Sequence, residues 1–250
     1  MKKRRWFSLF LSFALLLPLF SLTSADAYED FTLDAKAGLL IEADTGEILY
    51  EKNAHQENYP ASLTKVMVAL LVFEAIDEGK IALTDSVTAT ESAFEGLSSD
   101  GSTANIVPGE TMTVEQLLNC MLIVSANEAC NILGETLYGS VDAFVARMNE
   151  RAAELGCEHT HFANATGLHN SQHYTTAWDL YLITREALKH DKFMEICNSK
   201  SYTVPATNMT DKPRELHSTN FLISNWRARG YVYRDAQGIK TGSTPEAGYC

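Results

Sequence analysis

Residues 59–73 read YPASLTKVMVALLVF. Pro60 ends the polar loop of residues 53–59, and helical character then continues until Gly79 closes it. From Val66 to Phe73 every residue is apolar. Such a run covers more than two helical turns and leaves no side for water, so the helix expected over about Ser62 to Asp77 is a buried central one. Its first turn is polar. Ser62 and Lys65 are three residues apart and share one face at the helix start, which sets a hydroxyl beside an amine at the edge of an apolar interior.

Before this helix, Ala37 to Ala43 and Glu47 to Lys52 alternate like strands around the turn sequence Asp44-Thr45-Gly46. After it, residues 80–112 read as short strands and loops. Thr113-Val114-Glu115-Gln116 has capping-box spacing and opens a helix to about Val124. Ser125-Ala126-Asn127 is a polar break, followed by helical patterns near Glu128 to Tyr138, Val141 to Leu155 and Thr176 to Lys189. A helical middle between strand-rich ends predicts an α/β (α+β) architecture: an antiparallel sheet flanked by helices, with sheet parts at about 28–80 and 200–250 and a mostly helical part inserted at about 81–199. Gly238 to Gly242 begins a strand, and Ala247 to Cys250 begins another that stops abruptly, which predicts that the sequence is a fragment of a longer chain with at least one more strand.

The composition suits a folded domain: 250 residues, 46% hydrophobic and 10% aromatic. A net charge of −12 excludes a basic nucleic-acid-binding face. The one long apolar run is N-terminal. Lys2, Lys3, Arg4 and Arg5 precede Trp6 to Leu22, and Ala25-Asp26-Ala27 offers small residues to a signal peptidase, so residues 1–27 read as an export signal rather than an uncleaved anchor. Cleavage after Ala27 removes four positive charges and one negative, leaving −15 on a chain that starts at Tyr28. Cys120, Cys130, Cys157, Cys197 and Cys250 are odd in number, irregular in spacing and without a C-x-x-C pair, so they read as buried free thiols. His169 and His173 lack a carboxylate at ligand spacing, and no metal or cofactor is expected.

Three motifs carry chemistry: Ser62-Leu63-Thr64-Lys65, Ser125-Ala126-Asn127 and Lys240-Thr241-Gly242. A serine hydroxyl is a poor nucleophile until a base takes its proton, and Lys65 can be that base if burial lowers its pKa. Peptide dipoles at Ser62 favour an oxyanion. Ser125 offers a hydroxyl for proton relay, and Asn127 a donor and an acceptor for a substrate amide. Lys240 and Thr241 suit a carboxylate, and Gly242 lets a peptide lie on the strand edge. Each motif also has an ordinary structural explanation: Ser62 as an N-cap with Lys65 in solvent, Ser125 and Asn127 as turn residues, Lys240 to Gly242 as a protected edge. All three explanations would have to hold together.

With these motifs in order, the chain resembles the low-molecular-mass penicillin-binding proteins, the serine-type D-alanyl-D-alanine carboxypeptidases of the peptidase S11 family. The resemblance runs from about Ala37 to Cys250. It includes Tyr59-Pro60-Ala61, Pro108-Gly109-Glu110, Asn164-Ala165-Thr166-Gly167-Leu168, His173 with Thr176-Ala177-Trp178-Asp179-Leu180, Thr219-Asn220 and Ala247-Gly248-Tyr249. It implies a β-lactamase/transpeptidase-like fold, with Ser62 the acylated nucleophile, Lys65 its base and Ser125 a proton relay. Asn127, Lys240, Thr241 and Gly242 would bind substrate, and the backbone N–H groups of Ser62 and Ser243 would form the oxyanion hole. Ser243 stands where some members have a histidine. The implied reaction removes the terminal D-alanine of peptidoglycan stem pentapeptides outside the cytoplasmic membrane, in the periplasm or cell wall. β-Lactams would act as inhibitors, and a C-terminal region beyond this sequence would carry any membrane anchor.

A D,D-endopeptidase or transpeptidase on the same fold shares every one of these residues. A class A-like β-lactamase needs a glutamate in E-x-x-L-N after the S-x-N motif, whereas Glu115-Gln116-Leu117-Leu118-Asn119 comes before it and reads as helix surface. A non-catalytic cell-wall binding protein predicts a damaged motif, and all three are intact. A Ser-His-Asp hydrolase is disfavoured without a G-x-S-x-G elbow. The two N-x-T sequons, at Asn164 and Asn208, read as loop chemistry.

Overall fold

The computed structural model describes residues 32–250, so the export signal expected at 1–27 lies outside the described residues. Lys36–Cys250 forms one compact unit. At its centre, a 3-10 turn (Ala61–Thr64) leads into helix α1 (Lys65–Asp77). Every residue from Val66 to Phe73 is at most 3% exposed, as the unbroken apolar run predicts. Burial of a Val, Leu or Phe side chain contributes about 1.5–3 kcal/mol, which favours a central place for this helix over any surface one.

Among the described residues, four longer helices and one short one surround it: α2 (Val114–Ile123), α3 (Asn127–Tyr138), α4 (Val141–Glu154), α5 (Ala177–Ala187) and α6 (Asp191–Cys197). The Thr113/Gln116 capping box opens α2 as expected, and the Thr176 hydroxyl caps α5 by accepting from the Asp179 N–H. α6, which the sequence pattern did not separate from its surroundings, packs on α2. α1 lies against α5 and α3. The Arg151 guanidinium of α4 grips the Glu74 carboxylate of α1 through both Nε and Nη2, at 2.9 and 2.7 Å to Oε1.

The strands are antiparallel throughout: β1 (Gly38–Ile41) with β2 (Ile48–Lys52), β3 (Ser86–Thr88) with β4 (Thr111–Thr113), β5 (Ser201–Val204) with β6 (Arg214–His217), and β7 (Ser243–Thr244) with β8 (Gly248–Tyr249). Mixed α/β content with antiparallel pairing matches expectation. Among the described residues, however, these are four two-stranded ladders rather than a single sheet. The strand read at Gly238–Gly242 starts later than expected. Gly238 takes φ +53°, its carbonyl accepts from the Asn220 side chain, and Thr241 Oγ1 is bonded to Thr219 Oγ1, so the backbone joins a ladder only at Gly242. No described helix is long and apolar enough to cross a membrane.

Candidate active site

Ser62 sits within the 3-10 turn, half-buried, and is not an N-cap: neither this turn nor α1 has a side-chain cap. Its Oγ lies 2.9 Å from Lys65 Nζ. Lys65 is not a solvated first-turn residue either, because it is 0% exposed. Its Nζ has two further partners, Asn127 Oδ1 at 2.9 Å and the Thr166 carbonyl at 2.6 Å. Desolvation pulls its pKa below the ordinary lysine value, against weaker opposing pulls from Cys130 and Glu128. The ordinary alternatives for this motif are therefore excluded by geometry.

Ser125 and Asn127 occupy the bend between α2 and α3. Ser125 adopts φ +66°, a left-handed conformation that costs a residue with a Cβ about 1–2 kcal/mol. Its buried Oγ is the one such side-chain atom without a hydrogen-bond partner among the described residues. Asn127 opens α3; its N–H donates to the Ser102 carbonyl, and its Nδ2 lies so close to Gly101 that a Cβ there would approach it to 2.7 Å. The next residue, Glu128, is buried and fixes the facing loop by accepting from the Thr103 hydroxyl and the Ala104 N–H at 2.7 and 2.8 Å.

The third motif approaches from the other end of the chain. A Cβ on Gly242 would lie 3.0 Å from the Ser62 nitrogen and 3.1 Å from the Pro60 carbonyl oxygen, so glycine lets this strand abut the serine turn without displacing it. Gly242 and Cys250 exchange both backbone hydrogen bonds. The next pair, Ser243 and Tyr249, is therefore a non-bonded one, and the Ser243 N–H points away from β8. Lys240 is half-buried, and desolvation followed by the charge of Lys65 holds its pKa down at about 7. The structure thus joins Ser62, Lys65 and Asn127 directly and sets Gly242 against Ser62. Thr241 is tied to Thr219 and Lys240 Nζ to the Thr241 carbonyl, at 2.7 Å each.

Sequence reasoning assigned no role to Asn164-Ala165-Thr166-Gly167-Leu168, which forms the floor of the site. Asn164 Oδ1 accepts from the N–H groups of Thr166 and Gly167 at 3.1 and 2.8 Å and turns the loop so that the Thr166 carbonyl reaches Lys65. Gly167, at φ +84°, presses on the Ala61 carbonyl. The glycine and the Asx-forming asparagine were the available signal. Asn208 is similarly engaged, by the Thr111 N–H and the Gly109 carbonyl, so both sequons are loop chemistry. Glu115 of α2 pairs with Lys192 of α6 at 2.6 Å near the surface, but the helix-surface reading fails for Leu117, Leu118 and Asn119 of that motif: all three are buried, and Asn119 Nδ2 donates to the Glu115 carbonyl. All five thiols are free. Four are buried as expected, whereas Cys250 is exposed.

Residues 23–250 match the family described as peptidase S11, D-alanyl-D-alanine carboxypeptidase. The chain is 40% identical over 217 residues to the D-alanyl-D-alanine carboxypeptidase DacF of Bacillus subtilis (strain 168), covering 87% of this chain and 53% of that one. It is 33% identical over 223 residues to the D-alanyl-D-alanine carboxypeptidase DacC of Escherichia coli (strain K12), covering 87% and 52%. This chain spans about half the length of both. The crystal structure of the Streptomyces K15 DD-transpeptidase matches with a TM-score of 0.78 at 31% identity, over 89% of this chain and 85% of that one.

Proposed function

The chain belongs to the peptidase S11 family of D-alanyl-D-alanine carboxypeptidases, and from that premise we propose that it is the catalytic part of an exported serine D-Ala-D-Ala carboxypeptidase acting on peptidoglycan stem pentapeptides. The observation that carries this reading is Lys65, fully buried and bonded at once to Ser62, Asn127 and the Thr166 carbonyl. A neutral amine has two N–H bonds and one lone pair. The Asn127 and Thr166 oxygens accept the two N–H bonds, and the Ser62 hydroxyl donates to the lone pair. Burial favours that neutral state, so Lys65 takes the Ser62 proton as Oγ attacks the penultimate D-alanine carbonyl.

The oxyanion then lies between the N–H groups of Ser62 and Ser243, donors on two separate backbone segments held together at Gly242. Ser125 relays the proton to the departing D-alanine amine, its Oγ uncommitted within the protein. Lys240 and Thr241 receive the terminal carboxylate, and Asn127 holds the substrate amide. Water ends the cycle by hydrolysing the Ser62 ester. β-Lactams acylate the same oxygen and leave slowly.

Intact-protein mass spectrometry after incubation with benzylpenicillin tests this, beside D-alanine release from a pentapeptide. One adduct on the wild type and none on Ser62→Ala is expected, and D-alanine release from Ser62→Ala at the wild-type rate would sink the mechanism. Sequencing of the secreted chain should begin at Tyr28. The match to a DD-transpeptidase structure favours a second reading, in which an amine acceptor replaces water. A peptide-bonded product formed in the presence of a D-amino acid acceptor distinguishes it.

A further inference from the structure

The imidazole of His173 is 2% exposed and bonded at both nitrogens. The Ala163 N–H donates to Nδ1 at 3.1 Å, so Nδ1 holds a lone pair and the ring proton sits on Nε2. Nε2–H then donates to Thr64 Oγ1 at 2.7 Å, and that hydroxyl spends its own proton on the Ala61 carbonyl at 2.8 Å. Each hydrogen in this series has one possible place. The series ends on the carbonyl of the residue preceding Ser62, and Thr64 directly precedes Lys65. The groups bearing on the ring are Lys65, His161 and His169, all basic, with the Phe162 ring edge-on at 5.7 Å. No carboxylate is among them, and desolvation first, then these neighbours, push the imidazole down to about 4.

We propose that His173 is a positioning residue for the reaction: through Thr64 it holds the Ser62–Lys65 turn in the shape that brings Ser62 Oγ onto Lys65 Nζ. The inference rests on the catalytic reading of Ser62 and Lys65. It also explains a buried polar residue that touches neither Ser62 nor Lys65 through any hydrogen bond. Ala61, at φ +48°, is in a conformation it does not adopt freely, and its carbonyl is gripped by Thr64 on one side and pressed by Gly167 on the other.

The test compares benzylpenicillin acylation rates and thermal midpoints for wild type, His173→Gln, His173→Asn, Thr64→Val and the His173→Asn/Thr64→Val double variant. Gln keeps a donor at the Nε2 position and Asn only an acceptor at the Nδ1 position. Acylation should stay within about threefold of wild type in His173→Gln and fall by about 10- to 100-fold in His173→Asn and Thr64→Val, the scale of misplacing a reacting group. The double variant should be no slower than the slower single one, because both break one series. Equal losses in Gln and Asn, additive losses, or losses that merely follow the thermal midpoint would overturn the proposal. Nitrogen NMR of wild type supplies an arm independent of activity: an Nε2–H tautomer at neutral pH supports the proposal, and an Nδ1–H tautomer or an imidazolium overturns it. A wild type that forms no adduct overturns the catalytic reading itself, an outcome separate from any difference among the His173 variants.

Discussion

Replacing Gly167 by alanine adds one carbon where the structure has no room for it. The new Cβ would lie 1.8 Å from the Ala61 oxygen, 2.3 Å from its carbonyl carbon and 2.9 Å from the Ser62 nitrogen. Real Cβ atoms tolerate no less than about 3.0 Å, so the Ala61–Ser62 peptide must retreat by about 1.2 Å or the Asn164–Leu168 loop must move away. Either movement breaks a contact: the first shifts the Ser62 N–H and the Thr64 bond to Ala61, the second withdraws the Thr166 carbonyl from Lys65. A misplacement on the order of 1 Å costs about 100-fold in rate, so benzylpenicillin acylation of Gly167→Ala should fall by about 100-fold or more. The left-handed backbone alone costs about 1–2 kcal/mol, or roughly 2–8 °C in Tm for a domain of this size. Gly156→Ala separates the two effects, because Gly156 has φ +81° but open space around its Cβ position. That variant should lose the same roughly 2–8 °C and no acylation. Acylation measured by stopped mass spectrometry, with calorimetry alongside, decides it. A Gly167→Ala protein that is folded and acylates at the wild-type rate would refute the packing of this loop against the nucleophile turn.

Three further outcomes follow from the same geometry. Because desolvation lowers the Lys65 pKa, the acylation rate should rise with pH and level off well below the ordinary lysine value of 10.5; a rise centred on 10.5 would count against a buried base. Lys240, held at about 7, is charged below that pH and neutral above it, so binding of a carboxylate-bearing peptide should weaken as pH rises through 7. Lys240→Arg, which cannot lose its proton in that range, should move this alkaline limb upward in KM measurements, and an unmoved limb refutes the assignment. By linkage, the depressed Lys240 pKa means that the unfolded state binds more protons between 7 and 10.5, so its contribution to stability increases with pH across that window. Finally, the fully buried Glu110 carboxylate pairs with Arg214 at 2.5 Å and accepts from Thr207 Oγ1 at 2.8 Å. Arg214→Met should cost about 3–5 kcal/mol by leaving that charge unpaired, and a loss below about 1 kcal/mol in urea unfolding would show the ion pair to be dispensable.

The sequence by itself determined the central helix, the capped start of α2, the helical pattern of α5, the α2–α3 break and the three motifs, because each depends on residues within one or two turns of one another. An unbroken apolar run must be buried wherever the chain places it. The joining of Lys65 to Asn127 and the closeness of Gly242 to Ser62 span 62 and 180 positions, and no local pattern encodes such pairings. Tertiary structure alone decided that Lys65 meets a carbonyl from residue 166, that Ser125 is buried yet unpartnered, and that His173 reaches the serine turn through Thr64. It also decided where this C-terminal segment becomes a strand: the Asn220 side chain takes the Gly238 carbonyl, Thr219 Oγ1 holds Thr241 Oγ1, and ladder bonds begin only at Gly242. Short-range propensity fixes which segments coil or extend; the chemistry of the site comes from desolvation and donor–acceptor matching among segments far apart in the chain, which exist only once the core has closed.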